Sequence, residues 1–163
     1  MPILPLRYIP SSLTPSDKQK QTSQLMKSRK AYRNKTYITR KKVSSFVSKP
    51  SPHVQHARAL YHIDSIRPSR ALSRKTGCSV FSLQQIVRKG EGAYFSAGSR
   101  PNQTAQSWGI ARLASAITGG KAAAVDFSIL EKGCTPTGRA FRLALSSRKK
   151  HGHGRRHRAR IIV

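Results

Sequence analysis

Apolar residues come in short, unevenly spaced groups along this chain, and their spacing predicts helices far more often than strands. After a proline-punctuated leader, LRYIPSSLTPSDKQKQ, a helix is expected: Thr14 suits its N-cap, Pro15 its first position, and Asp17 the positive end of its dipole. It should run to about Tyr32 with Leu25 and Met26 as its main apolar contacts, a stripe thin enough to predict docking rather than core building. Residues 36–47, TYITRKKVSSFV, are β-branched and aromatic with basic interruptions, and read either as a short strand or as an extended arm segment.

The prolines of KPSPHV mark a boundary, after which Val54, Ala57, Leu60 and Tyr61 predict a helix over 53–63. SRALSRKTG reads as a short helix ended by Gly77. Ser79 is placed to cap the next, with Val80, Leu83 and Val87 aligned and Gly90 as its stop. A loop holding Gly92, Gly98 and Pro101 follows. Asn102 or Thr104 then starts a helix with Ile110, Leu113, Ala114 and Ile117 on its inward face, ended by Gly119-Gly120. Residues 121–132 form one further helix closed by Gly133, and Phe141, Ala144 and Leu145 suggest a last one. The expected fold is mainly α, a small compact helical core with extended basic N- and C-terminal arms. Its boundaries are an arm with one helix over 1–50, a helical domain over 51–147 and a basic tail over 148–163.

Charge sharpens that division. The chain has 163 residues and a formal net charge of +27. Residues 91–134 hold 4 Lys+Arg and 3 acids, whereas residues 1–50 hold 12 against 1, and residues 135–163 hold 9 against none. The neutral stretch, rich in small residues, is therefore expected to be the folded core, with modest buried area and marginal stability of its own. The flanks should bind a polyanion or an acidic partner. No apolar run is long enough to span a bilayer, and Pro2, Pro5 and Pro10 with no basic start argue against a signal peptide. Cys78 and Cys134, 56 positions apart, are expected to be structural thiols in a reducing setting rather than a disulfide.

Candidate chemistry is sparse. TGGK at residues 118–121 lacks the earlier glycine and the following Ser or Thr of a phosphate loop, since Ser115 and Ala122 stand there, so it reads as a turn between helices. Lys121 beside it is placed to touch an anion. His151, His153 and His157 lie among arginines that would repel a cation, so no metal is expected. The acids Asp17, Asp64, Glu91, Asp126 and Glu131 form no close pair, and no enzyme activity, cofactor or small-molecule substrate is expected. Tyr94, Phe95 and Trp108, with Arg100 and Arg112, offer base stacking, but plugging the core is the better reading. Trp108 is the expected core anchor. The polyanion- or partner-binding candidates are Arg29, Lys30, Arg33, Arg40, Lys41, Lys42, Arg148, Lys149, Lys150, Arg155, Arg156 and Arg158.

The segments RYIPSSLTPSDKQKQ, LMKSRKAY and YITRKKVSSF, and above all GAYFSAGSRPNQTAQSWGIARLASAITGGKAAAVDFSILEKGC, resemble a family of small basic virion proteins of large nucleocytoplasmic double-stranded DNA viruses of the chlorella-virus kind. The resemblance runs from Arg7 to about Gly154 and implies a late, non-enzymatic minor capsid protein beneath the major capsid shell. Its implied partners are the major capsid protein and other minor capsid proteins, with viral DNA or an internal membrane surface as further contacts. It places the protein in the virion, assembled in the host cytoplasm. Two other readings stand beside it: a virion protein that tethers the genome, and a ribosomal protein with the same basic tails.

Overall fold

The computed structural model describes residues 3–153 and 160–162. These residues are mainly helical, as the periodicity predicts, with eight α-helices and one two-stranded sheet. None of the described helices is long and apolar enough to cross a membrane. The chain divides into two units.

The first unit takes in residues 3–49, 91–108 and 160–162. Strand β1 (Ile3–Pro5) pairs antiparallel with β2 (Arg160–Ile162), Leu4 opposite Ile161. Helix α1 (Pro15–Arg33) begins as the sequence predicts: the Thr14 hydroxyl accepts from the Asp17 amide at 3.3 Å, and Pro15 stands at the first turn. It ends in a reversal. The Thr36 amide donates to the Ala31 carbonyl and the Lys35 amide to that of Tyr32, both at 2.9 Å, with Lys35 at a left-handed φ of 57°. This is the glycine-type helix stop built here on a lysine.

The reversal sends residues 36–47 back along α1, and four side chains pin them. Gln24 exchanges two hydrogen bonds with the Lys41 backbone, donating at 3.2 Å and accepting at 2.5 Å. Asp17 accepts from the Ser45 amide and hydroxyl at 2.8 and 2.6 Å. Asn102 accepts from the Val43 amide and donates to the Val43 and Phe46 carbonyls. Arg40 is the fourth pin. The segment is thus neither a strand nor a free arm. The unit's small core is Leu4, Tyr8, Ile9 and Leu25, with Trp108 and Ile161 partly buried against it.

The second unit takes in residues 50–90 and 109–153. Helices α2 (Pro52–Tyr61) and α3 (Arg70–Thr76) are capped by the hydroxyls of Ser51 and Ser69, and Gly77 closes α3 at φ 79°. Helix α4 (Val80–Ser96) starts at Ser79, whose hydroxyl accepts from the Ser82 amide. It does not stop at Gly90, however, and carries the chain on into the first unit. Helix α5 (Ala105–Ile117), capped by Thr104, brings it back. The stretch 121–132 is two helices, α6 (Lys121–Val125) and α7 (Phe127–Gly133), because the chain breaks at Asp126. Helix α8 (Arg139–His151) follows. The core gathers Leu72, Leu83, Ile86, Leu113, Ile117 and Leu130, all fully buried, with alanines from α5, α6 and α8.

Three further readings of the sequence give way to the structure. Cys78 and Cys134 are joined by a disulfide. The Ser79 amide donates to the Gly133 carbonyl and the Thr135 amide to that of Gly77, so the two cysteines face each other at the non-hydrogen-bonded site of a short antiparallel bridge, where side chains stand closest. The neutral block is not a core by itself, since residues 91–108 belong to one unit and 109–134 to the other. Trp108 is not the main core anchor. It stands edge-on to Tyr8, 6.1 Å between ring centres, on the smaller core of the first unit.

Candidate polyanion-binding surface

The redrawn division changes where the positive charge sits. Over the described residues the first unit holds 14 Lys+Arg and 2 acids, and the second 15 and 3. Each therefore carries a net +12 within folded structure, and most, though not all, of those cations face solvent. The two best-buried acids are already used. Asp17 is held by Ser45, whose hydroxyl and amide keep its carboxyl below the usual value. Asp126, fully buried, accepts from Arg112 Nε and Nη2 at 2.7 and 2.8 Å and pairs with Lys89 Nζ at 3.0 Å. Two cations on one carboxylate leave a surplus of positive charge even at that centre.

The basic residues singled out in the sequence fall into different classes. Lys30 and Arg33 are exposed on α1, and Lys41 and Lys42 on the returning segment. Arg29 is half-buried, with Nε donating to the Ala97 carbonyl at 2.8 Å, and burial draws its pKa below the arginine norm. Arg40 leaves the set altogether. Its guanidinium is buried, donating to Ser28 Oγ (3.0 Å), Ser99 Oγ (2.8 Å) and the Tyr94 carbonyl (2.8 Å), and it lies 3.8 Å from the Tyr94 ring centre. Desolvation lowers its pKa, and no carboxylate partners it among the described contacts. A run such as TRKK does not reveal which of its cations turns inward. Arg148, Lys149 and Lys150 are exposed in the last turn of α8, where positive charge meets the negative end of the helix dipole, and Arg148 stacks on Phe127 at 4.4 Å. They are helical rather than part of a tail. Arg155, Arg156 and Arg158 lie outside the described residues.

What the sequence did not reveal is a groove in the first unit. It runs between α1 and residues 38–41, has a volume of about 310 Å³, and is lined by Lys20, Ser23, Gln24, Lys27, Ile38, Thr39, Arg40 and Lys41. Lys20, Gln24 and Lys27 share one helix face by their i, i+4, i+7 spacing, the only hint a sequence carries. At the end where the chain reverses, Tyr32, Tyr37 and Phe95 stack edge to face at 5.9 and 5.2 Å, and Tyr37 is 63% exposed.

Of the base-stacking set, Tyr94 is fully buried, with its hydroxyl accepting from the Arg40 amide, and Arg112 is committed to Asp126. The cysteines, joined to each other, supply no thiol nucleophile. Among the described residues no three His, Cys, Asp or Glu gather as a metal site, and His157 lies outside them.

No curated protein and no solved structure matches the chain. Residues 5–131, more than three quarters of its length, match a family of unknown function (DUF5824), and the chain belongs to that family.

Proposed function

We propose that the protein is a structural virion component, a minor capsid protein that joins capsid subunits on the inner face of a large icosahedral double-stranded DNA virus. The setting rests on the sequence resemblance to small basic virion proteins. The observation that carries the role is the net charge of +12 carried by each folded unit, most of it on exposed side chains. Two cationic bodies on one short chain suit a bridge laid over acidic surfaces, or between a protein shell and packaged DNA, where counterion release drives binding. The partners on this reading are the major capsid protein and other minor capsid proteins.

The lysine-lined groove favours a second reading, a virion protein that tethers the genome. Gentle disruption of particles with release of DNA separates the two. A shell component stays with the empty capsid, and its recovery on the released DNA overturns the shell reading in favour of the tether. Sedimentation with ribosomes instead would overturn both.

A further inference from the structure

The groove beside α1 has the parts of a single-strand site. Cations line one stretch of it, from Lys20 and Lys27 on the helix to Lys41 on the returning segment. Lys42 is exposed next to them, its carbonyl accepting from Lys20 Nζ at 3.3 Å. At the helix end stands the aromatic group led by Tyr37, flanked by exposed Arg33 and Lys35. From Lys20 to Tyr32 the helix rises about 18 Å, so phosphate-seeking charge and a stacking surface lie along one short track. The walls are fixed rather than loose, because Gln24, Asp17, Asn102 and Arg40 each tie down the returning segment. The acid at the far end of the track, Asp17, is occupied by Ser45.

We propose that this groove binds a single-stranded nucleic-acid segment, with Lys20, Lys27 and Lys41 on its phosphates and Tyr37 stacked on a base. A volume of about 310 Å³ takes a nucleotide-sized group and excludes the body of a duplex. A tyrosine that keeps most of its surface in water beside cations suits a base that has left its partner strand. The site stands on the groove alone, and belongs equally to a shell protein and to a genome tether.

Fluorescence anisotropy of the full-length chain with a labelled oligothymidylate, and with a duplex of equal length, tests it. Tyr37→Ala should weaken oligothymidylate binding roughly 5- to 150-fold and leave duplex binding unchanged, while Tyr37→Phe keeps most of the affinity. Lys20→Gln with Lys27→Gln and Lys41→Gln should reduce the salt slope on the single strand by about 2. Lys27→Gln alone, which disturbs no described hydrogen bond, should move the slope in the same direction. Lys149→Gln with Lys150→Gln, on α8 of the second unit and not among the groove's lining residues, should change single-strand affinity less than the groove variants do. Equal losses on single strand and duplex, no effect of Tyr37→Ala, or an equal effect of the α8 pair would each overturn the proposal.

Discussion

Gly90 and Gly109 meet backbone to backbone: a Cβ built on Gly90 would stand 2.5 Å from the Cα of Gly109 and 3.3 Å from the Cβ of Arg112. Helix α4 therefore spends a glycine in mid-helix on letting α5 approach, not on stopping. Alanine is the better helix former by about 1 kcal/mol, but here it must push two helices apart. Gly90→Ala should lower stability by roughly 1–3 kcal/mol, seen as an earlier thermal midpoint in circular dichroism. A raised midpoint would show that the contact gives way cheaply.

Arg40 holds residues 36–47 to α1, to α4 and to Ser99 just beyond it through three acceptors. Hydrogen bonds from a charged donor are worth about 1.5–3 kcal/mol each when broken one-sidedly. Arg40→Lys keeps the charge but loses the planar fork that reaches Ser28, Ser99 and the Tyr94 carbonyl together. It should cost about 2 kcal/mol or more in urea unfolding and open the segment to trypsin at Lys41 and Lys42. Arg33→Lys, on an exposed side chain of α1, should cost almost nothing.

The two ends of the pH range report on different units. Asp17 has a lowered pKa, mainly because the Ser45 hydroxyl hydrogen-bonds to its charged form. Its contribution is present above its unfolded value, near 3.8, and is lost as pH falls through the lower folded value. Tyr61, whose hydroxyl donates to the Ile117 carbonyl, is pushed up to about 12 by burial. The unfolded state then loses its tyrosine proton first, so stability should fall as pH rises from about 10 to about 12. Tyr61→Phe should flatten that alkaline limb while lowering stability at neutral pH. An alkaline limb unchanged in Tyr61→Phe would place the titration elsewhere.

Trp108 sits on the rim of the smaller core. Its loss removes the edge-on contact with Tyr8 and a partly buried ring, and Arg7 loses the indole whose centre lies 5.5 Å away. Trp108→Ala should cost about 2 kcal/mol, against roughly 3–5 kcal/mol for a fully buried aromatic, and should retain native helicity. A variant with no cooperative melt would return Trp108 to the role of main anchor.

Local signals were legible in the sequence because they act over a few residues. Thr14 with Pro15, Gly77, and Ser79 mark their helix ends as read. Gly90 misleads because the same residue type serves a stop and a close contact, and only the partner at Gly109 tells them apart. The helix break falls at Asp126, whose carboxylate meets Arg112 14 positions earlier, and Cys78 meets Cys134 across 56 positions. The groove was hidden for a related reason. One wall lies on α1 and the other on a segment that returns only because Lys35 adopts a left-handed turn that sequence preference assigns to glycine.

The bond between Cys78 and Cys134 also decides how the molecule bears load. If the chain is drawn out by its ends, tension crosses from sulfur to sulfur and bypasses everything between. The sheltered loop spans 56 positions, about 190 Å of chain at full extension, and contains residues 91–108 of the first unit while residues 3–49 stay in the line of force. Stretched in an optical trap, the oxidised protein should surrender only the chain outside the loop, and a reductant should release the remaining length.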